Sequence, residues 1–174
     1  MKNVLLLIFV LLSLIGMSQI TEREQQVLDE INLCRTNPQQ YLQYIDSFLE
    51  YNNSDAGEKA TARELKKVLK KMKPLEPLVF SPELYEACKI HGDYIIKVKK
   101  LVHSDCVCAE NVQYGHSDVR FAVIDLLIDN GISSRGHRKN ILNPEFGYFA
   151  VYEIPQKVKK MDYIFIQQFD WKKK

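Results

Sequence analysis

Apolar positions in the first part of the chain recur at intervals of three and four, a spacing that predicts amphipathic helices. Four such helices are expected before residue 100, with the polar stretch NNSDAGEK and the extended stretch KPLEPLVF between them. Their apolar stripes are, in chain order, Val27, Leu28, Ile31 and Cys34; Tyr41, Leu42, Ile45, Phe48 and Leu49; Leu65, Val68, Leu69 and Met72; and Leu84, Cys88, His91, Ile95 and Val98.

Start signals precede three of these helices. Thr21 and Glu24 form a capping box, in which each side chain satisfies a backbone N–H of the other residue. Asn37 and Ser81 each stand directly before a proline, and a polar cap followed by proline at the first helical position is a preferred helix start. His91 lies on the apolar stripe of the helix that follows Ser81, which predicts a buried, hydrogen-bonded histidine.

A fifth helix is expected from Ser117, its predicted N-cap, to about Asn130. Gly131 is the predicted C-terminal glycine, a position that favours left-handed backbone. The segment that begins there, GISSRGHRKNIL, has two glycines, two serines, three cations and one histidine, and is predicted to be a loop. Core packing needs no such composition, so the loop is a candidate for function.

Two aromatic and β-branched segments near the end of the chain predict strands. They are FGYFAVYEI (146–154) and MDYIFIQQF (161–169), and the short PQKVKK linker between them predicts an antiparallel hairpin. Helices followed by an antiparallel hairpin favour an α+β fold over a parallel α/β fold. We find no internal repeat, and the length suits one domain.

The first residues, MKNVLLLIFVLLSLIGMS, predict a secretory signal peptide over residues 1–18. One cation precedes an apolar run from Val4 to Leu12, and Gly16 and Ser18 are small residues at the −3 and −1 positions of a cleavage site. A membrane anchor is the alternative, but the run is short for a bilayer. The expected mature chain is a single domain over residues 19–174, secreted or periplasmic, without a stable membrane span.

Composition excludes few functions but weakens two. The chain of 174 residues is 46% hydrophobic and 26% charged, as in ordinary globular proteins, and its formal net charge is +2. A charge so close to zero provides no strong field for nucleic acid, so no nucleic-acid partner is expected. The terminal WKKK raises the idea of a membrane-surface protein, which the same near-neutral charge argues against.

Four cysteines leave several pairings open in an exported chain, because four cysteines allow three connectivities. Cys106 and Cys108 are too close in sequence for an easy mutual bridge, so we do not expect them to pair with each other. Cys34 and Cys88 fall on helix faces and are expected to be buried free thiols. Structural zinc on Cys106, Cys108 and nearby histidines is a minor alternative in an oxidising compartment.

Two histidines and two acids in the second half are the candidate chemistry: His103, Glu110, Asp129 and His137. Asp129 stands near the C-terminal end of the fifth helix, where the helix dipole disfavours a negative charge, so a cation is expected nearby. Two imidazoles and two carboxylates suit a divalent metal such as zinc. They equally suit an acid–base cluster without a metal, and spacing alone does not separate these alternatives.

The string ENVQYG followed by IDLLIDNGISSRGHRKNILNPEFGYFAVY resembles the CAP superfamily of SCP-like domains. This family includes cysteine-rich secretory proteins, insect venom antigen 5 and plant pathogenesis-related proteins of class 1. The form D-x-G-x-x-x-R-G-H-R-x-N-I is similar to that of many microbial members. INLCRTNPQQYLQYI and PLEPLVFSPELYEACKIHGDYI are similar to the family's front half, so the resemblance covers about residues 24–170.

The resemblance implies a three-layer α-β-α sandwich with a central, mainly antiparallel sheet. It also implies a cleft in which His103 and His137 match the family's two histidines and Glu110 matches one of its two glutamates. Asp129 stands where the second glutamate is common, which shortens that acid by one methylene and puts a shared metal geometry in doubt. Supporting positions are Asn111, Arg135, Gly136 and Arg138.

Each supporting position has an expected part in the loop. Gly136 is expected to let the backbone turn so that His137 points into the cleft. One of the two arginines is expected to pair with Asp125 or Asp129, since guanidinium suits carboxylates.

Three functions follow as expectations. The first is a secreted CAP-domain protein whose cleft binds a divalent metal, zinc or another, together with a lipid, sterol or peptide ligand. The second is a metal-assisted hydrolase with Glu110 as general base. The third is a non-catalytic extracellular scaffold in which the four residues only fix loops. The fold alone does not choose among them, or settle the oligomeric state.

Overall fold

The computed structural model describes residues 20–172, and the predicted signal peptide lies outside these residues. Six helices and four strands follow one another as in an α+β fold. Over residues 20–172, none of the helices has both the length and the apolar character needed to cross a membrane. The helices are α1 (Glu22–Thr36), α2 (Pro38–Tyr51), α3 (Ala56–Lys71), α4 (Pro82–Val98), α5 (Val119–Ile128) and α6 (Gly136–Ile141).

The strands form one mixed sheet in the order β1-β3-β4-β2. The predicted hairpin is confirmed, since β3 and β4 pair in antiparallel register, with Ala150 opposite Gln168. The strand β2 pairs antiparallel with β4, and the two-residue β1 pairs parallel with β3. The bounds are β1 (Val79–Phe80), β2 (Ala109–Gln113), β3 (Phe146–Ile154) and β4 (Ile164–Trp171).

The two long strands bury both of their faces. Side chains alternate between the two sides of a strand, so neighbouring residues enter different clusters. Phe149 and Phe169 join the larger cluster, with residues of α1, α2, α3 and α5, whereas Ala150 and Ile166 join the smaller one, with residues of α4. The sheet therefore carries helices against both faces.

Helix starts follow the predicted signals closely. The Thr21–Glu24 capping box is present, and the Ser81 side chain caps α4. Asn37 does occupy the cap position of α2, but its side chain makes no capping hydrogen bond. The predicted cap at Ser117 is wrong by one residue, because Asp118 accepts the hydrogen bond that starts α5.

The segment after α5 differs most from its prediction. The left-handed residue that ends α5 is Asp129, with φ of 57°, two residues before the predicted Gly131. The expected loop contains the short helix α6, and Gly136 is its first residue. The turn before α6 is made by Arg135 with φ of 53°, so the turning role assigned to Gly136 is wrong.

The cysteines correct one expectation and confirm another. Cys106 and Cys108 form a disulfide, although they are separated by only two positions. Their short spacing was a poor guide because the intervening loop brings the two Cα atoms to 5.2 Å, within the range of ordinary bridges. Both sulfurs are thereby used, which excludes the zinc alternative for this pair as bridged. Cys34 and Cys88 are buried free thiols, as predicted.

Arg35 ties the end of α1 to the segment that connects α6 with β3. Its side chain is fully buried, and its guanidinium donates to four backbone carbonyls. Burial lowers the pKa of Arg35 to about 10, so the group stays charged at neutral pH. Charge-assisted hydrogen bonds to carbonyls thus replace a carboxylate partner. The acceptors are the carbonyls of Glu76, Ile141, Asn143 and Phe146.

We predict that Arg35→Met lowers the free energy of unfolding by about 3 kcal/mol or more, because buried carbonyls lose their donor. Arg35→Lys should fall between, since an ammonium keeps the charge but cannot span the same acceptors. The measurement is urea unfolding. Arg63→Met on the exposed face of α3 is the matched control and should change stability by less than about 0.5 kcal/mol. Equal losses in both variants would contradict the account.

Candidate functional site

Two carboxylate–imidazole pairs lie beside one another at the sheet edge formed by β2. The Nδ1 atom of His103 lies 3.0 Å from Oε1 of Glu110, and Nδ1 of His137 lies 2.8 Å from Oδ1 of Asp129. Both carboxylates are buried, with 4% and 1% of the side chain exposed. The imidazoles are more open, at 63% for His103 and 21% for His137. All four predicted site residues thus fall into one region.

Glu110 is held by donors from two separate parts of the chain. It lies on β2 opposite Gln168 of β4, whose Nε2 donates to Oε2 at 3.0 Å. The loop before β2 adds Ser104, whose backbone N–H donates to Oε1 at 2.9 Å and whose hydroxyl donates to Oε2 at 2.7 Å. Together with His103, these donors satisfy both oxygens of a buried carboxylate, as burial of a charge requires.

The pKa of Glu110 is lowered from its ordinary value. Burial works to raise this pKa, but hydrogen bonds from Gln168 and Ser104, with the charge of His91, outweigh burial. Donors that favour the ionised form act in this direction. At neutral pH the Glu110 side chain is therefore a carboxylate that accepts hydrogen bonds and cannot donate one.

His91 is a site residue that the sequence pattern did not reveal. It lies on α4 with 5% of its side chain exposed, and its Nδ1 is 2.9 Å from Oε2 of Glu110. Its predicted burial is confirmed, but the predicted hydrogen bond is not, because neither ring nitrogen has a partner at hydrogen-bonding geometry among the described residues. Helical periodicity places His91 among apolar neighbours, and the apposition to Glu110 depends on how α4 packs on the sheet.

Asp129 connects the two helices that surround His137. Its carboxylate accepts from the backbone N–H groups of His137 at 2.9 Å and Arg138 at 3.3 Å, which are orphan donors of the first turn of α6. The cation expected near this acid is met in part by these dipoles and by the His137 ring. The left-handed backbone of Asp129 turns the side chain toward α6 instead of continuing α5.

Neither arginine of the segment pairs with a carboxylate of Asp125 or Asp129 among the described residues, so that expectation is wrong. Arg138 is buried and donates to the carbonyls of Leu127 and Ile128 at the end of α5. Arg135 donates to the carbonyls of Asp129 and Ile132. Carbonyls left free at a helix end compete well for a guanidinium, and sequence spacing does not show them.

Two asparagines join the His137 half of the site to the Glu110 half. Asn111 on β2 is fully buried and donates to Oε1 of Gln167 at 3.1 Å. Asn140 on α6 donates to Oδ1 of Asn111 at 2.9 Å and to the carbonyl of Glu110 at 3.3 Å. These bonds fix the distance between α6 and β2, and therefore between the two imidazoles.

Two adjoining cavities open between the pairs. One of about 330 Å³ is lined by His103, Glu110 and His137, and a second of about 190 Å³ by Asp129 and His137. Larger depressions of about 600 and 740 Å³ lie elsewhere, but neither contains a carboxylate–imidazole pair. Apolar side chains shared by the two adjoining cavities give the cleft an oily wall; they are Leu101, Val112 and Ile132.

The donor set of this cleft suits a metal with two protein ligands better than one with four. Over residues 20–172, no group of three or more His, Cys, Asp or Glu side chains is arranged to hold a metal ion. Both carboxylates are occupied by their hydrogen bonds, and the histidines use Nδ1. The Nε2 atoms of His103 and His137 make no hydrogen bond within the described part of the chain, which leaves two imidazole nitrogens.

Comparison of the sequence with family models and with curated proteins finds no match in either set.

We predict that the stability of the protein falls as pH decreases through the titration range of Glu110. Because the pKa of Glu110 is lower in the folded state, its stabilisation is complete above the unfolded value of about 4.3 and is lost as pH falls through the folded value. Urea unfolding at a series of acidic pH values should show a shallower pH dependence in Glu110→Gln than in the wild type. Glu86→Gln on the exposed face of α4 should keep the wild-type slope, and an unchanged slope in Glu110→Gln would contradict the assignment.

Asp129→Ala should lower the free energy of unfolding by about 2 kcal/mol, because α6 loses its capping acceptor and alanine tolerates left-handed backbone poorly. Asp129→Asn should lose less, since asparagine keeps an acceptor oxygen and adopts left-handed backbone readily. Urea midpoints measure both variants. Asp93→Ala on exposed α4 is the control, and equal stability of the alanine and asparagine variants would count against the capping role.

Proposed function

We propose that the chain is a CAP-superfamily domain whose cleft binds a divalent metal and a ligand with an apolar body. The observation that carries this proposal is the pair of cleft imidazoles, each oriented through Nδ1 by a buried carboxylate. His103, Glu110, Asp129 and His137 were assigned to the cleft from the family motif, and their side chains surround adjoining cavities. The sequence motifs supply the family, and the geometry supplies its support.

We infer that the fold is the three-layer α-β-α sandwich of that superfamily, with a mainly antiparallel sheet. Support comes from the two apolar clusters, which include residues of α1, α2, α3 and α5 on one side and residues of α4 on the other. Two of the three strand pairings are antiparallel. The parallel pairing involves only the two residues of β1.

The cleft imidazoles have the arrangement that metal-binding histidines favour. A metal-ligating histidine usually donates its other ring N–H to a carboxylate, which fixes the tautomer and raises the basicity of the ligating nitrogen. Glu110 plays this part for His103, and Asp129 for His137. We therefore assign the two Nε2 atoms as the protein ligands of a zinc-like ion and the acids as their orienting partners. A bound metal would supply Lewis-acid attraction for a carbonyl or carboxylate oxygen of a ligand.

The walls of the cleft indicate the class of ligand. Apolar residues occupy the side of the larger cavity opposite the polar pair, and a lipid, sterol or peptide side chain fits such a surface. The polar end of that ligand would face the imidazoles. No feature of the described residues suggests a nucleic-acid partner, in line with the near-neutral charge. The apolar side chains meant here are Leu101, Val102, Val112 and Ile132.

The geometry favours binding over hydrolysis with Glu110 as general base. A general base must accept a proton from water or substrate, and its pKa is best close to the working pH. Glu110 has a lowered pKa, and its two oxygens already accept hydrogen bonds from Ser104 and Gln168. These properties make it a strong anchor for His103 and a weak proton acceptor.

Export through the predicted signal peptide fits this function. Disulfides persist mainly in oxidising compartments, and the chain contains the Cys106–Cys108 bridge. We propose that the protein acts outside the cytoplasm, either secreted or in a periplasm.

Zinc titration calorimetry tests the proposal. We expect saturable binding of one ion by the wild type, and a loss of affinity of at least tenfold in His103→Ala and in His137→Ala, because each removes one of two protein ligands. His116→Ala is the matched control, since His116 is a half-buried histidine beside Asp125 and lines neither cavity. It should bind zinc as the wild type does.

Two outcomes would overturn the proposal. If the wild type binds no zinc, the two pairs serve only as hydrogen-bonded clamps of a scaffold. If His116→Ala loses affinity as much as the cleft variants, the ion lies outside the cleft. Glu110→Gln separates orientation from ligation, because it should weaken binding less than His103→Ala.

A further inference from the structure

The Cys106–Cys108 bridge lies in the loop that carries His103 to the cleft. This loop, residues 99–108, connects the end of α4 with the start of β2. His103 and Ser104 precede the bridge and contact Glu110, which follows it. The bridge therefore closes the chain between the donors and the acceptor of the same hydrogen-bonded cluster.

The bridge has little to offer as a structural staple. A disulfide restricts the unfolded chain by closing a loop, and the effect grows with the number of residues enclosed. Cys106 and Cys108 enclose a single residue, so they restrict the unfolded chain about as little as a bridge can. The bridge joins no two elements of the fold, since both cysteines belong to one loop.

Exposure distinguishes this pair from the other two cysteines. Val107, between the bridged residues, is 95% exposed, and neither Cys106 nor Cys108 is buried. Cys34 and Cys88 are fully buried, and burial raises the pKa of each thiol well above its ordinary value. Thiols of that kind are inert, whereas exposed disulfides are the ones that exchange with other thiols.

We propose that Cys106–Cys108 is a thiol–disulfide exchange site for an external thiol, and that its redox state sets the contacts of His103 and Ser104 with Glu110. The closed bridge holds the loop in a tight bend directly before β2. Opening the bridge frees that bend, so the loop loses the constraint that presents His103 to Glu110. The proposal holds whether or not the cleft binds a metal.

The exchange conserves atoms and electrons. A thiolate of an external thiol attacks one sulfur of the bridge, forming a mixed disulfide and releasing the other cysteine as a thiolate, which takes a proton from water. A second external thiolate attacks the mixed disulfide. The products are two protein thiols and one external disulfide, so two electrons pass from the external thiols to the protein.

Glutathione buffers test the exchange on the folded protein. The protein is equilibrated with reduced and oxidised glutathione at set ratios, alkylated rapidly and mapped by mass spectrometry. We expect reversible labelling of Cys106 and Cys108 as the buffer becomes more reducing, with unchanged circular dichroism. Cys34 and Cys88 are internal controls and should stay unlabelled. The proposal fails if the bridge stays closed throughout, or opens only when Cys34 and Cys88 are labelled too.

Imidazole NMR signals test the coupling to the cleft. The His103 ring signals should differ between the oxidised and reduced protein at one pH without metal, and those of His116 should not. The double variant Cys106→Ser/Cys108→Ser should reproduce the reduced His103 signals even in oxidising buffer. Identical His103 signals in both states, or a double variant that matches the oxidised protein, would overturn the coupling.

Discussion

Burial of two carboxylates at one sheet edge is the constraint on which the rest of the site depends. An ionised carboxylate leaves water at a high free-energy cost unless donors surround it. Glu110 obtains its donors from the loop before β2 and from Gln168 on β4, and Asp129 obtains them from the first turn of α6. Each acid therefore draws together segments that are distant in sequence, and each leaves one oxygen for the Nδ1 atom of a cleft histidine.

The polar groups around these acids fix the spacing of the cleft. Asn140 bonds α6 to β2, while Arg138 and Arg35 satisfy carbonyls at the ends of α5 and α6. These bonds hold backbone to backbone through buried side chains, so the two imidazoles are placed by rigid elements. A site of this kind is suited to holding an ion or a polar ligand group at a set distance, because its reorganisation on binding is small. Adjustment is left to the loop that carries the disulfide.

Local chemistry made much of the fold predictable, and distant packing made the rest unpredictable. The capping box at Thr21, the cap and proline at Ser81 and the terminal hairpin depend on neighbouring residues, and all three are confirmed. The four site residues could be chosen because a family motif orders them along the chain. The contact of His91 with Glu110 depends on how α4 packs on the sheet, so no local pattern shows it. The left-handed Asp129 was missed because Gly131 gave a stronger local signal.

The tautomeric state of the two cleft histidines tests this account most directly. A carboxylate only accepts hydrogen bonds, so a neutral imidazole that faces it must carry its proton on Nδ1. Long-range nitrogen–proton NMR spectra of the metal-free protein at alkaline pH distinguish the two tautomers. The account predicts that both His103 and His137 are protonated on Nδ1, with Nε2 unprotonated and available to a ligand. Protonation of either ring on Nε2 would contradict the claim that buried carboxylates orient the cleft.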